Sequence, residues 1–211
     1  MYKLSRLPNA KVAIVDVRKY DHTKKEFMLN QPHLGLDKPY RTVLVQGWSF
    51  RNPQLVEKHR KEIIAYMMPK QYYMDSAKRW RDSVMDQKHQ TVLVGIHMRL
   101  GDFKDFEGGR YYYEVKVYEK LVSHIRSILP NASFVVFSNE SVDISIPGLY
   151  IQRSGGNAME DLVRMSMCHY IAGPPSTFSI CAAFVGHALL YHMHYATSMP
   201  ALEEFQEVVS F

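Results

Sequence analysis

The sequence predicts an α/β protein built around a parallel sheet, and three observations carry that prediction. Residues 91–97 (TVLVGIH) and 133–138 (SFVVFS) are continuous apolar runs, as expected of strands covered on both faces. Between them, Val115, Tyr118, Leu121, Val122, Ile125, Ile128 and Leu129 form one helical stripe over residues 113–129. Further short strands and helices then alternate to about residue 192, which is the pattern of a parallel sheet with crossover helices. At 211 residues, the chain fits one large domain or one and a half small ones at about 150 residues each. A domain of this size buries roughly 70% of its unfolded surface and needs no disulfide staples.

In chain order, residues 12–17 (VAIVDV) read as a buried strand, and the polar, proline-containing stretch 20–39 as loop. Residues 42–46 (TVLVQ) read as a second strand. A turn at 47–53 opens a helix over about 54–67, stopped by Pro69. A polar helix follows over 75–87. After the strand at 91–97 and the helix at 113–129, Pro130-Asn131 leads into the strand at 133–138. A short strand at 149–152 precedes Gly155-Gly156. The next helix spans 160–168, with Asn157 as its cap and Glu160 three residues on. A short strand at 170–172, a helix from Ser176 or Thr177 to about 185, and a last strand at 188–192 complete the series. Domain limits follow: an N-terminal lobe at 1–90, a ligand-binding lobe at 91–195, and a C-terminal tail or helix at 196–211.

Composition excludes several classes. Hydrophobic residues make up 46% and charged residues 22%, which argues against a disordered tail, a collagen-like fibre or a coiled-coil rod. The two cysteines, Cys168 and Cys181, exclude a cysteine-rich scaffold and a four-cysteine zinc site. Their apolar surroundings suggest buried thiols in a reducing compartment. The first residues lack the apolar segment of a signal peptide, and no window is apolar enough to span a membrane. A protein of the cytoplasm or of a membrane's cytoplasmic face is expected.

Charge is uneven. Residues 1–90 hold 18 Lys+Arg against 9 Asp+Glu, whereas residues 91–211 hold 8 against 12. No Lys or Arg follows Arg164. A basic half can attract nucleic acid, anionic lipid or a phosphorylated substrate. These cations are scattered among acidic neighbours, which favours a solvated helix face. No nucleic-acid-binding motif is present, so no nucleic-acid partner is expected. Peripheral contact with a membrane through the basic half stays open.

Ligands of parallel sheets sit beyond the carboxyl ends of the strands, so the residues after those ends carry the functional argument. The first such segment is His97-Met98-Arg99-Leu100-Gly101-Asp102-Phe103. Arg99 suits bidentate contact with phosphate, Gly101 lets backbone approach a ligand closely, and Asp102 can orient Arg99. An Arg–Asp pair that merely pins a loop fits equally well. The second segment is Phe137-Ser138-Asn139-Glu140, whose small polar groups suit hydrogen bonding to a base or ribose, or simple turn chemistry. The third, Gly173-Pro174-Pro175-Ser176-Thr177-Phe178, starts a helix whose free N–H groups favour an anion; an ordinary cap reads the same way. Convergence on one sheet edge favours phosphate. His192 and His194 could face a metal, but no carboxylate partner is evident and no metal is expected.

Taken together and in order, these segments resemble the α-1,2-fucosyltransferases of glycosyltransferase family 11. Those enzymes carry a His-x-Arg-Arg-Gly-Asp-Tyr motif, a strand ending in Ser-Asn or Ser-Asp, and an acid-led helix, a Cys and a Ser-Thr-Phe segment. The counterparts here are His97 to Phe103, Ser138-Asn139, Glu160-Asp161-Leu162, Cys168, and Ser176-Thr177-Phe178. The likeness spans about residues 90–195. It implies a two-lobed GT-B enzyme with a Rossmann-type nucleotide lobe and a partial N-terminal, acceptor-side α/β lobe. It also implies metal-independent, inverting transfer of fucose from GDP-fucose to a glycan hydroxyl. Arg99 would bind the diphosphate, with Gly101, Ser176, Thr177 and Phe178 around it and Ser138, Asn139 and Asp161 near the nucleotide. His97 and Asp102 are the nearest candidates for the base. The family's second motif arginine is Leu100 here, and its Gly-rich opening segment has no counterpart in residues 1–30. These departures leave open a relative that binds a guanine nucleotide or glycan without transfer.

Overall fold

The structure, a computed structural model, describes residues 3–6, 12–18, 27–34, 42–47, 50–85, 92–146, 151–153 and 157–209. The chain divides into two compact units, residues 1–60 and 61–209.

In the first unit, strand β1 (Lys3–Arg6) pairs antiparallel with β2 (Val12–Asp16), and β2 pairs parallel with β4 (Thr42–Gln46). The two-residue strands β3 (Phe27–Met28) and β5 (Phe50–Arg51) form a second parallel pair. On β2 only Ala13 and Val15 are buried, so this strand alternates. Val15, Val17, Phe27 and Leu34 form the small core. Helix α1 (Pro53–Lys58) starts under Asn52, whose side-chain oxygen accepts from the Leu55 amide at 3.2 Å. The single helix expected over 54–67 is interrupted at His59 (φ −107°, ψ 20°), and α2 (Arg60–Met67) follows. No proline or glycine imposes that break.

The second unit begins within α2. Helix α3 (Gln71–Met85) starts four residues before the sequence expectation. Trp80, Val84 and Met85 of α3 pack into the core of this unit with Leu93, Phe137 and Met165. Both helices therefore belong with the second unit rather than with the lobe drawn at 1–90.

Seven further residue ranges build the main sheet and its covers: β6 (Val92–Met98), α4 (Val115–Ile128), β7 (Ala132–Ser138), β8 (Ile151–Arg153), α5 (Ala158–Ser166), β9 (Tyr170–Gly173) and α6 (Thr177–Gly186). They are completed by β10 (Leu189–His192) and β11 (Gln206–Glu207). The strand order is β11-β10-β9-β6-β7-β8, parallel throughout except for β11. The chain thus winds from β6 outward to β8, then returns to the other side of β6 for β9 and β10. The α/β expectation holds: this is a mixed, predominantly parallel sheet with helices on both faces.

Side-chain alternation explains the two covers. Val94, Ile96 and Met98 of β6, with Phe134 and Val136 of β7, meet Tyr118, Leu121, Val122 and Ile125 of α4. The opposite parity, Leu93, Val135 and Phe137, meets α3, α5 and α6. A strand buried at both parities reads as one unbroken apolar run. The tail expected at 196–211 as an extension or helix instead forms a 3₁₀ turn at Leu202–Glu204 and then β11. Phe205 between them is buried against Tyr170 and Tyr191. Among the described residues no helix is long and apolar enough to cross a membrane.

Candidate functional site

The sheet reverses its winding direction between β6 and β9, and ligands of such sheets settle outside the strand carboxyl ends at that switch point. A cavity of about 340 Å³ opens beyond β6 and β7, the strands on one side of that point. Its walls are His97, Arg99, Phe137, Ser138, Asn139, Ala158, Asp161 and Phe178.

The loop after β6 is tied to the loop after β7. The Leu100 amide donates to Asn139 Oδ1 at 2.9 Å, and Asn139 Nδ2 donates to Asp102 Oδ1 at 3.3 Å. Arg99 Nη2 donates to Asp102 Oδ2 at 2.9 Å, and the guanidinium lies 5.5 Å from the centre of the Phe103 ring. The Arg99 Nε is buried without a hydrogen-bond partner. Gly101 makes the turn at φ +39°, where a Cβ would stand 2.9 Å from Glu140 Oε1 and 3.0 Å from Asn139 Nδ2. The pair that pins the loop and the arginine that faces the cavity are thus one group. Asp102 leaves part of the guanidinium open. Ser138 Oγ accepts from the Glu140 amide at 3.2 Å, which is turn chemistry at the cavity wall.

His97 closes the cavity floor. It is only 3% exposed, its ring lies 5.6 Å from that of Phe178, and its Nδ1 has no hydrogen-bond partner. Burial, aided by the charges of Arg99 and His192, pushes its pKa down to about 3. The imidazole is therefore neutral at physiological pH and a weak proton acceptor. Gly173 lets β9 come close here: a Cβ would sit 2.3 Å from the His97 carbonyl oxygen.

Two helices begin near this edge. Ser176 caps α6, its Oγ accepting from the Phe178 amide at 3.2 Å, and Ser179 Oγ donates to the Ser176 carbonyl at 3.0 Å. Thr177 is exposed and, like Ser176, stands outside the cavity lining. The first turn of α5 supplies Ala158 and Asp161 directly. Asn157 caps that helix in a full capping box: its Oδ1 accepts from the Glu160 amide at 3.1 Å, and Glu160 Oε2 accepts from the Asn157 amide at 2.9 Å.

Of the residues named from sequence, His97, Arg99, Ser138, Asn139, Asp161 and Phe178 line the cavity. Gly101 and Asp102 stand behind Arg99, and Ser176 and Thr177 stand at the start of α6. Ala158 carries no sequence signal, and Phe137 reads only as the apolar start of its segment. His192, offered by the sequence only as a metal candidate, lies 3.5 Å from Ser179 Oγ through Nε2, and burial pushes its pKa down to about 4. The Asn157–Glu160 box was the available signal that a second helix start faces this edge. His192 and His194 do approach, with ring centres 6.5 Å apart, but no group of three metal-ligating side chains forms among the described residues.

A larger and more open depression of about 660 Å³ lies beside Arg81, Asp82, Ser83, Met85 and His169. His169 precedes β9, and its Nδ1 accepts from the Leu93 amide at the start of β6. That depression is at the amino ends of the strands, and its described lining cation, Arg81, is paired with Asp82 at 2.9 Å. The chain matches no known protein-family model and no curated protein.

Proposed function

We propose that the second unit binds a guanine-nucleotide sugar, GDP-fucose foremost, and that the chain transfers the sugar to a hydroxyl of a glycan with inversion. The observation that carries this reading is the switch-point cavity with a partly free arginine and a buried, unpartnered imidazole nitrogen in its wall. Its volume, about 340 Å³, lies in the range of small-ligand sites, roughly 300–1,000 Å³. Arg99 supplies positive charge for the diphosphate, and the flat face of Phe178 together with Asn139, Ser138 and Asp161 suits a nucleoside. In the transfer, the bond from the sugar's anomeric carbon to phosphate breaks with its electron pair leaving on GDP. The acceptor oxygen bonds from the opposite face and gives its proton to a base. Buried, weakly basic His97 is poorly suited to that task, whereas the Asp102 carboxylate reaches solvent. A two-lobed GT-B arrangement, metal independence and a cytoplasmic setting, with or without membrane contact, belong to the same proposal.

One observation favours a second reading, nucleotide or glycan binding without transfer. Leu100 occupies the position of the family's second motif arginine and is turned into the apolar core, 6% exposed. Among the described residues, Arg99 is then the one cation lining this cavity. Calorimetry with GDP-fucose, GDP-mannose and GDP tests both readings. Saturable binding is expected with each guanine nucleotide, and product formation with a glycan acceptor separates transfer from binding alone. Flat traces with all three overturn both transfer and nucleotide binding.

A further inference from the structure

We propose that Tyr111, His194 and Tyr195 form a stacking shelf that holds a neutral saccharide, the acceptor sugar, at the carboxyl edge of the second unit's sheet. This rests on the nucleotide-sugar reading of the cavity, and it places acceptor contacts on the same unit as the donor.

Two segments build the shelf. One follows β6 and the 3₁₀ turns after it; the other follows β10. Both therefore emerge at the end of the sheet where the cavity lies. Tyr113, buried between them, donates its hydroxyl to the Met193 carbonyl at 3.0 Å and fixes the two segments together. The Tyr111 and His194 rings meet edge to face, 6.2 Å apart at 70°. Tyr195 is held from its backbone: its amide donates to Ser198 Oγ at 3.2 Å, and its carbonyl accepts from the Ser198 amide at 3.0 Å. Tyr195 is nevertheless 67% exposed. An exposed aromatic residue on a held backbone loses less entropy when a ligand stacks on it than one on a free loop.

The shelf leads back toward the cavity through His192. His194 stands 6.5 Å from His192, ring centre to ring centre, and His192 Nε2 is 3.5 Å from Ser179 in the first turn of α6. His192 is also close enough to His97 for its charge to act on that cavity residue. A sugar on the shelf is thus adjacent to the wall that would hold the donor.

Charge chooses the ligand class. Residues 165–211 contain no Lys or Arg. Among the described residues one cation lies over a ring of the shelf, Arg110 over Tyr111 at 5.1 Å. Nucleic acid or anionic lipid is bound mainly through clustered cations, which this surface lacks. A pyranose instead offers an apolar C–H face to a ring and hydroxyls to the phenol and imidazole rims, the pairing that tyrosine's apolar body and polar tip suit.

The test uses the full chain with saturating GDP and three neutral disaccharides: lactose, N-acetyllactosamine and chitobiose. Binding is followed by saturation-transfer NMR and titration. At least one disaccharide is expected to bind through ring-facing C–H protons. Tyr195→Ala and Tyr111→Ala should each weaken it about tenfold, the size of one lost aromatic contact. Tyr195→Phe should retain it, since stacking survives without the hydroxyl. GDP affinity should stay unchanged in all variants. Failure of all three disaccharides to bind, or binding indifferent to both alanine variants, overturns the shelf. Disaccharide binding that follows these substitutions while GDP does not bind leaves the shelf standing and removes the nucleotide reading.

Discussion

His97 and His192 make the second unit acid-sensitive in a window where few other groups act. Both are held neutral by burial, with pKa values pushed from 6.5 to about 3 and about 4. The unfolded chain regains ordinary histidines and binds more protons than the folded one, so stability rises with pH and is lost as pH falls below about 6.5. Between pH 6.5 and pH 5, each unfolded imidazole goes from half to almost fully protonated while its folded counterpart stays neutral. Integrating that difference gives roughly 1.6 kcal/mol per histidine, or about 3 kcal/mol for the pair. Such a loss is a large part of a typical stability of about 5–15 kcal/mol. Most carboxylates protonate below this window, so they add little to it. Urea titrations at half-unit steps from pH 7 to pH 5 measure the slope. His97→Gln keeps a neutral polar side chain of similar reach and removes one of the two protons. Its stability should fall by only about half as much over the same interval. A wild-type stability that is flat across the window, or a His97→Gln slope equal to wild type, would refute the burial argument.

Two further outcomes follow from the geometry. Arg99→Ala removes a cation from the cavity wall, and losing one such preorganised group raises a transfer barrier by about 2.7–4 kcal/mol; turnover with GDP-fucose should drop roughly a hundredfold or more, and wild-type turnover would sink the donor-site assignment. Gly173→Ala drives a Cβ to 2.3 Å from the His97 carbonyl, so β9 and β6 must move apart at the switch point. Overpacking of that kind costs about 1–3 kcal/mol, readable as a lower melting temperature together with weaker GDP binding, whereas an unchanged melt would show that the strands part freely.

The second unit was largely legible because each of its long elements carries its own signal. The α4 stripe and the unbroken runs of β6 and β7 need no knowledge of what they pack against. The strands that went unnoticed are β1, β3, β5 and β11, of two to four residues each. At that length, pairing partners rather than side-chain pattern decide the conformation. A boundary at residue 90 follows the start of the regular strand–helix series, which says nothing of which unit the preceding helices join. The residues that decide membership are Trp80, Val84 and Met85, whose apolar side chains join the second core. The alternation on β2 was hidden for a related reason: Val12, Ile14 and Val15 are all apolar, and only one face of the strand is buried.

For the site, sequence order located the strand ends but not their depth. His97, two residues before Arg99, sits on the side of β6 that faces α6, so it is buried; Arg99, with the same parity but past the strand, reaches the cavity mouth. That single step separates a neutral wall from a charged one and weakens His97 as a base. The start of α6 attracted attention through its hydroxyls, yet Ser176 spends its side chain on capping its own helix. The start of α5 lines the cavity with two residues, Ala158 and Asp161, and the start of α6 with Phe178 alone, because β7 and β8 lie on the α5 side of the switch point. Helix caps are local and visible in sequence. Which capped helix faces a ligand is set by strand order, and strand order is a property of the whole sheet.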